Sequence, residues 1–201
     1  MSRRGHGRFI LTLAVILLIA GCTAKIPYKL LPDYRDRHVR LVAVMPVLAG
    51  KAADAMAAEM FRRKTVEGLY FKGYPRIPLN LIDGKLDSVY RNNPMSKNSI
   101  IPPRIPGELL GVDAALYVVL DECRTSFAPL FATTALSVKF ELRSAKTGET
   151  LWQTQYSTKE RNYALSRKGL EMESSQIFEP VIEGVINRVM ETLPDGPDAL
   201  K

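Results

Sequence analysis

Two cysteines, two histidines and one tryptophan are all that the 201-residue chain holds of these types, and the shortage excludes much chemistry. A zinc site of the structural kind needs Cys and His ligands at short, paired spacings, which Cys22, Cys123, His6 and His38 do not provide. His38 lies beside Arg37 with no carboxylate or nucleophile fixed near it by sequence, so a histidine-based triad lacks its base. No glycine-rich phosphate-cradling loop occurs. The sequence therefore implies no cofactor, no metal and no catalysis. Long apolar runs are missing as well: Phe9–Ala20 falls short of the roughly 20 residues that cross a bilayer.

A net charge of +7 does not mark a nucleic-acid binder. Arg3, Arg4 and Arg8 supply three of those charges, and no acidic residue precedes Asp33. Beyond them, Lys and Arg are interspersed with acids, as in Lys159-Glu160-Arg161, without the aromatic-interleaved basic block of a nucleic-acid groove. With 46% hydrophobic and 24% charged residues, the chain has the composition of one folded domain rather than of a disordered segment.

Residues 1–21 have the three parts of a secretory leader: a basic front, the apolar stretch Phe9–Ala20, and small residues at a cleavage point. Ile19-Ala20-Gly21-Cys22 resembles the bacterial lipobox, which implies cleavage between Gly21 and Cys22 and acylation of the cysteine by chains of the palmitate type. Two or three such chains hold a protein on a membrane for long periods, since each buried methylene contributes about 0.8 kcal/mol. Thr23, a neutral residue after the cysteine, resembles the sorting signal for the outer membrane of a Gram-negative bacterium, with the domain in the periplasm. An acylated Cys22 cannot pair with Cys123, so Cys123 is expected as a buried, inert thiol.

Residues 22–38, with Pro27 and Pro32 and no apolar period, read as a tether. The domain is expected over 39–193, followed by a tail over 194–201. Val39–Met45 is a near-continuous β-branched run closed by Pro46, the pattern of a strand covered on both faces. Residues 51–71 predict a helix ended by Gly73. Ile77–Ile82 predicts a short edge strand with Pro78 in it, Asp83 the N-cap of a helix reaching Tyr90, and residues 91–107 a proline-rich loop. Ala114–Leu120 reads as a buried central strand parallel to the first. Leu136, Val138, Phe140 and Leu142 alternate with polar residues, and after the turn Lys146–Glu149 the strand Leu151–Tyr156 returns, which makes a hairpin. Phe178, Val181, Ile182, Val185, Val189 and Leu193 line one helix face, with Pro194 ending it. The order is βαβαβ, then a β-hairpin, then a helix: an α/β domain with a mixed sheet, in two or three layers.

Three stretches carry a resemblance: the strand to Pro46 with the Ala-rich helix and Gly73-Tyr74 after it; Gly107-Glu-Leu-Leu-Gly-Val-Asp-Ala-Ala-Leu-Tyr117; and Lys146-Thr-Gly-Glu-Thr-Leu-Trp152. In this order, after a lipobox, they are similar to the superfamily of the curli-secretion lipoprotein CsgG, the Pel lipoprotein PelC, the synthase activator LpoB and the N-terminal domain of TolB. Within it the chain most resembles a small family of envelope lipoproteins of unknown function. Gly111 fits a helix end, Asp113 a cap or turn into the strand, and Thr147-Gly148 a tight hairpin. No stretch has the long membrane-inserting hairpins of the curli channel, so a pore function is not implied. The resemblance implies a non-catalytic binding or assembly component of an envelope transport or secretion machine, with ring formation by copies of the chain open. The alternative it offers is an accessory lipoprotein that activates a peptidoglycan synthase.

Among individual residues, Asp121 and Glu122 follow the central strand, where open α/β sheets bind ligands. Neighbours on a strand point to opposite faces, though, and a charged strand end is the plainer reading. Phe127, Leu130 and Phe131 are either a contact surface or hairpin core. Trp152 reads as core.

Overall fold

The computed structural model describes residues 25–53, 55–93, 99–128, 131–163 and 167–199. Six strands form one mixed sheet: β1 (Tyr28–Leu30), β2 (Val42–Val44), β3 (Leu48–Ala53), β4 (Ala114–Phe127), β5 (Phe131–Ser144) and β6 (Thr150–Tyr163). Helices among the described residues are α1 (Ala55–Phe71), α2 (Leu79–Asn92), α3 (Arg104–Leu110) and α4 (Arg167–Met190). The order across the sheet is β1-β6-β5-β4-β2, with β3 also on β4. Strands β2 and β3 occupy the same edge in succession. Val42–Val44 pairs in parallel with Ala114–Leu116, and after Pro46 the chain rejoins β4 at Val119–Cys123. The remaining pairings, β4–β5, β5–β6 and β1–β6, are antiparallel.

Strand β4 is central because its apolar run can be buried on both sides. Leu116, Val118 and Leu120 join a core with α1 and α4, while Ala115 and Tyr117 face Ile82 and Leu86 of α2. On α4 the expected face is buried at Val181, Ile182, Val185 and Val189, and Leu193 is buried just beyond the helix end at Met190; the side chain of Phe178 lies outside the described residues. Gly68 of α1 lets α4 approach closely, since a Cβ there would come within 2.9 Å of Ile186. Trp152 is fully buried, as expected, and donates from Nε1 to Thr192 Oγ1 at 3.2 Å. Cys123 is a buried thiol.

Several expectations need correction. Residues 51–53, read as the start of a helix, belong to β3 (Leu48–Ala53): the free edge of β4 captures them, and tertiary pairing overrides the helix preference of alanine. Gly50 permits this approach, as its Cβ would stand 2.8 Å from the Asp121 carbonyl oxygen. Ile77–Ile82 is not a strand. Pro78 precedes the first turn of α2, accepting from the Leu81 and Ile82 amides at 3.1 and 3.3 Å, a place where a missing N–H does no harm. Ile82 and Leu86 are buried at helical spacing, so the short apolar run belonged to the 3.6-residue period. Asp83 is thus inside the helix, not its cap. Part of the expected loop is α3, which Pro103 precedes and Gly111 closes in a left-handed conformation (φ 67°).

The segment read as a tether is also folded from Pro27 onward. Tyr28–Leu30 pairs with Trp152–Thr154, and Tyr34 is buried with its hydroxyl 2.7 Å from that of Tyr74. Residues beyond Pro194 are docked too, with Gly196 N–H donating to Lys72 O at 2.7 Å and Asp198 N–H to Gly73 O at 3.0 Å. The hairpin strands are longer than expected: β4, β5 and β6 have 14 residues each. Strand β5 keeps its alternation, with Leu136, Val138, Phe140 and Leu142 buried and Lys139 exposed between them.

Candidate functional site

The two faces of the sheet are covered unequally. Helices α1 and α4 close one face. On the other, α2 and α3 reach only the start of β4 and β2, packing on Ala43, Met45, Ala115 and Tyr117. The rest of that face is polar by alternation: Lys139 and Glu141 on β5, Gln153 and Gln155 on β6. With Tyr28 and Val119 these residues line an open concavity of about 450 Å³.

The charges of Lys139 and Glu141 are paired within the protein. Lys139 Nζ lies 3.1 Å from Asp121 Oδ2. Glu141 accepts from Arg143 Nη2 at 2.7 Å and from Thr150 Oγ1 at 2.5 Å. Burial would raise the Glu141 pKa, but these two hydrogen bonds and the guanidinium charge outweigh it and hold the carboxyl below its ordinary range. The Arg143 guanidinium lies 5.7 Å from the centre of the Tyr117 ring. The Tyr117 hydroxyl donates to Ile101 O at 2.6 Å, and burial pushes its pKa up. Such a surface can hold a partner by shape and hydrogen bonds.

Of the residues singled out in the sequence, Phe127 and Phe131 meet at the β4–β5 turn, whereas Asp121 and Glu122 do not form a site. Asp121 and Glu122 lie inside β4, which runs on to Phe127, and not at a strand end; Glu122 is paired with Arg124 at 2.6 Å. His38 is exposed, with φ 49°. Among the described residues no group of three His, Cys, Asp or Glu side chains could hold a metal ion. Phe127, at 47% exposure, is not core. Phe131 is half-buried beneath Arg161, whose guanidinium is 5.5 Å from the ring centre. Gly21, Cys22 and Leu130 lie outside the described residues. Sequence reading missed Tyr28 and Lys29 as groove residues; the only signal was a three-residue strand between two prolines.

The family model described as "Putative lipoprotein GNA1162-like" matches residues 31–200 of this chain. The chain belongs to the GNA1162-like lipoprotein family. It is 23% identical over 187 residues to the lipoprotein NMB1124/NMB1162 of Neisseria meningitidis serogroup B, covering 92% of this chain and 82% of that protein. The crystal structure of lipoprotein GNA1162 from N. meningitidis superposes with a TM-score of 0.52 at 23% identity, over 71% of this chain and 97% of that one. A PelC dodecamer structure from Paraburkholderia phytofirmans gives a TM-score of 0.47 at 15% identity, over 88% and 99% of the two chains. The α/β fold with one mixed sheet is thus that of the GNA1162 structure, which is named as a lipoprotein.

Proposed function

We propose that this protein is a non-catalytic binding or assembly component of an envelope transport or secretion machine. It is anchored through acylated Cys22 to the periplasmic side of the outer membrane, with its domain, from Tyr28 onward, in the periplasm. Membership of a lipoprotein family and a leader ending at Gly21-Cys22 support the anchor. The observation that carries the binding role is the part of one sheet face that none of the described helices covers, where Lys139, Glu141, Gln153 and Gln155 border a concavity and the charges of Lys139 and Glu141 are paired off. Paired charges suit a docking surface, because a partner displaces water without stranding an ion. The membrane anchor raises the effective concentration for partners in the same layer, and those partners are envelope proteins or further copies of the chain.

The test begins with mass spectrometry of the protein from its native host, which should find an acylated Cys22 at the amino end. The acylated protein in mild detergent should have a mass several times that of the monomer by light scattering, or should form a photo-crosslink from position 155 in cells to an identified envelope protein. An unmodified amino end rejects the anchor. A monomer without crosslinks rejects the assembly role.

A further inference from the structure

The path of the chain into the domain fixes which end faces the bilayer, and this inference rests on the anchoring of Cys22 proposed above. Strand β1 is antiparallel to β6, with Tyr28 opposite Thr154 and Leu30 opposite Trp152. Followed backwards from Tyr28, the chain therefore runs toward the far end of the β4–β5–β6 ribbon, where Phe131 pairs with Tyr163 and Phe127 with Ala132. It is pinned in that direction: the Pro27 carbonyl accepts from Thr154 Oγ1 at 2.8 Å, and Ile26 packs against the same core as Tyr156.

Four residue steps separate Ile26 from Cys22, a reach of about 14 Å at full extension. Continuing the β1–β6 register puts Ile26 level with Tyr156, seven residues short of Tyr163, or about 23 Å along the strand. The opposite end of the sheet, at Thr150, is about 20 Å from the same level before any loop is added. Length alone brings Cys22 to neither end; the direction in which Pro27 and Ile26 leave β1, away from Thr150, puts the acyl chains on the side of the ribbon end. Even when fully stretched toward the ribbon end, the tether leaves Phe127 and Phe131 about 9 Å beyond Cys22, which matches the roughly 5–10 Å that interfacial apolar groups penetrate.

We infer that the end of the ribbon, with exposed Phe127 and the Phe131–Arg161 pair, rests in the headgroup layer of the membrane that holds Cys22. The charge around it agrees. Lys159 and Arg161 flank Glu160 near this end, and Arg124 is paired with Glu122, which leaves a small excess of cations among the described residues, the sign that favours anionic lipid headgroups. Gln155 is eight residues from Tyr163, about 26 Å along the strand, so the groove of Tyr28, Lys139 and Gln155 stands clear of the bilayer, and Phe71, at the far end of α1 and 83% exposed, points away from it.

The buried Trp152, the sole tryptophan, gives a low-background test by lipid quenching. The full acylated protein is placed in phosphatidylethanolamine–phosphatidylglycerol vesicles with brominated or ordinary acyl chains. The Phe127→Trp variant should lose emission in the brominated vesicles, whereas wild type and Phe71→Trp should not. Unquenched Phe127→Trp on protein that still floats with the vesicles overturns this inference and leaves the anchor standing. Quenching of Phe71→Trp overturns the orientation. Failure of the wild type to float, or an unmodified Cys22, overturns the anchor and this inference together.

Discussion

Arg62 of α1 reaches around the edge of the sheet to Asp83 of α2, Nη1 to Oδ2 at 2.9 Å and Nη2 to Oδ1 at 2.7 Å. On the way it donates from Nε and Nη2 to the carbonyl of Val44, at 3.3 and 3.2 Å. Val44 is the last residue of edge strand β2, just before Pro46 breaks the strand. One nearly buried guanidinium thus ties together the two helical layers and the strand between them.

The two partners should differ in importance. Arg62→Met leaves the buried Val44 carbonyl without its donor and should lower stability by about 1–3 kcal/mol. The Asp83 side chain is 48% exposed, so Asp83→Asn should cost less than about 1 kcal/mol. Urea-unfolding midpoints of the two variants check this, and equal losses would argue against it.

Gly73 has φ 85°, and a Cβ on it would stand 2.2 Å from the amide nitrogen of Ala199. Gly148, in the β5–β6 turn, has φ 79° with open space around it. Gly148→Ala should lose about 1–2 kcal/mol for the left-handed backbone alone. Gly73→Ala should lose more and also free the C-terminal segment. Thermal unfolding with limited proteolysis near Asp198 distinguishes the two; an intact C-terminal segment in Gly73→Ala would contradict the packing.

Tyr34 and Tyr74 share a hydrogen bond, and the Tyr74 hydroxyl also reaches Pro194 O at 3.0 Å. Burial raises both phenol pKa values above the ordinary 10.0. A raised folded pKa means that the contribution is complete below pH 10 and is lost as pH climbs through the folded values. Each phenol held neutral in the fold should cost about 1.4 kcal/mol per pH unit above its unfolded pKa. Urea midpoints across alkaline pH should fall less steeply for Tyr74→Phe than for wild type, and identical slopes would refute the assignment.

Glu141 carries the opposite sign. Its folded pKa is depressed from 4.5, so its contribution is present above that value and is lost as pH falls. Glu141→Gln should be less stable than wild type at neutral pH, and the gap should close under acid. A constant gap in midpoint between pH 7 and strong acid would show that the carboxylate charge plays no part.

Trp152→Phe removes the Nε1–Thr192 hydrogen bond and part of the contact with Phe140, whose ring centre is 6.4 Å away. A loss of about 1–3 kcal/mol is expected. In the native chain the red shift of Trp152 emission on unfolding should follow the loss of helical circular dichroism, because the residue joins α4 to the sheet.

Where burial imposes a pattern on consecutive residues, the elements were legible in the sequence. Ala114–Leu120 is apolar throughout because β4 is covered on both faces, Leu136–Leu142 alternates because β5 is covered on one, and Gly111 and Gly148 stand where the backbone turns left-handed. The apolar α4 face from Val181 to Val189 follows from the same logic. Ile77–Ile82 was misread because six residues are too few to separate a period of 2 from one of 3.6, and only the neighbouring Leu86 decides between them.

By itself, then, the sequence determined the class of fold, its central strand, its hairpin and its last helix, since the burial of neighbouring side chains repeats at fixed intervals along the chain. Tertiary structure alone decided that residues 48–53 extend the sheet, that Tyr28–Leu30 closes its other edge, that Arg62 meets Asp83, and that the described helices leave part of one face open. Each of these depends on which distant segment comes to lie alongside. That competition for hydrogen bonds and apolar surface leaves no local period to read.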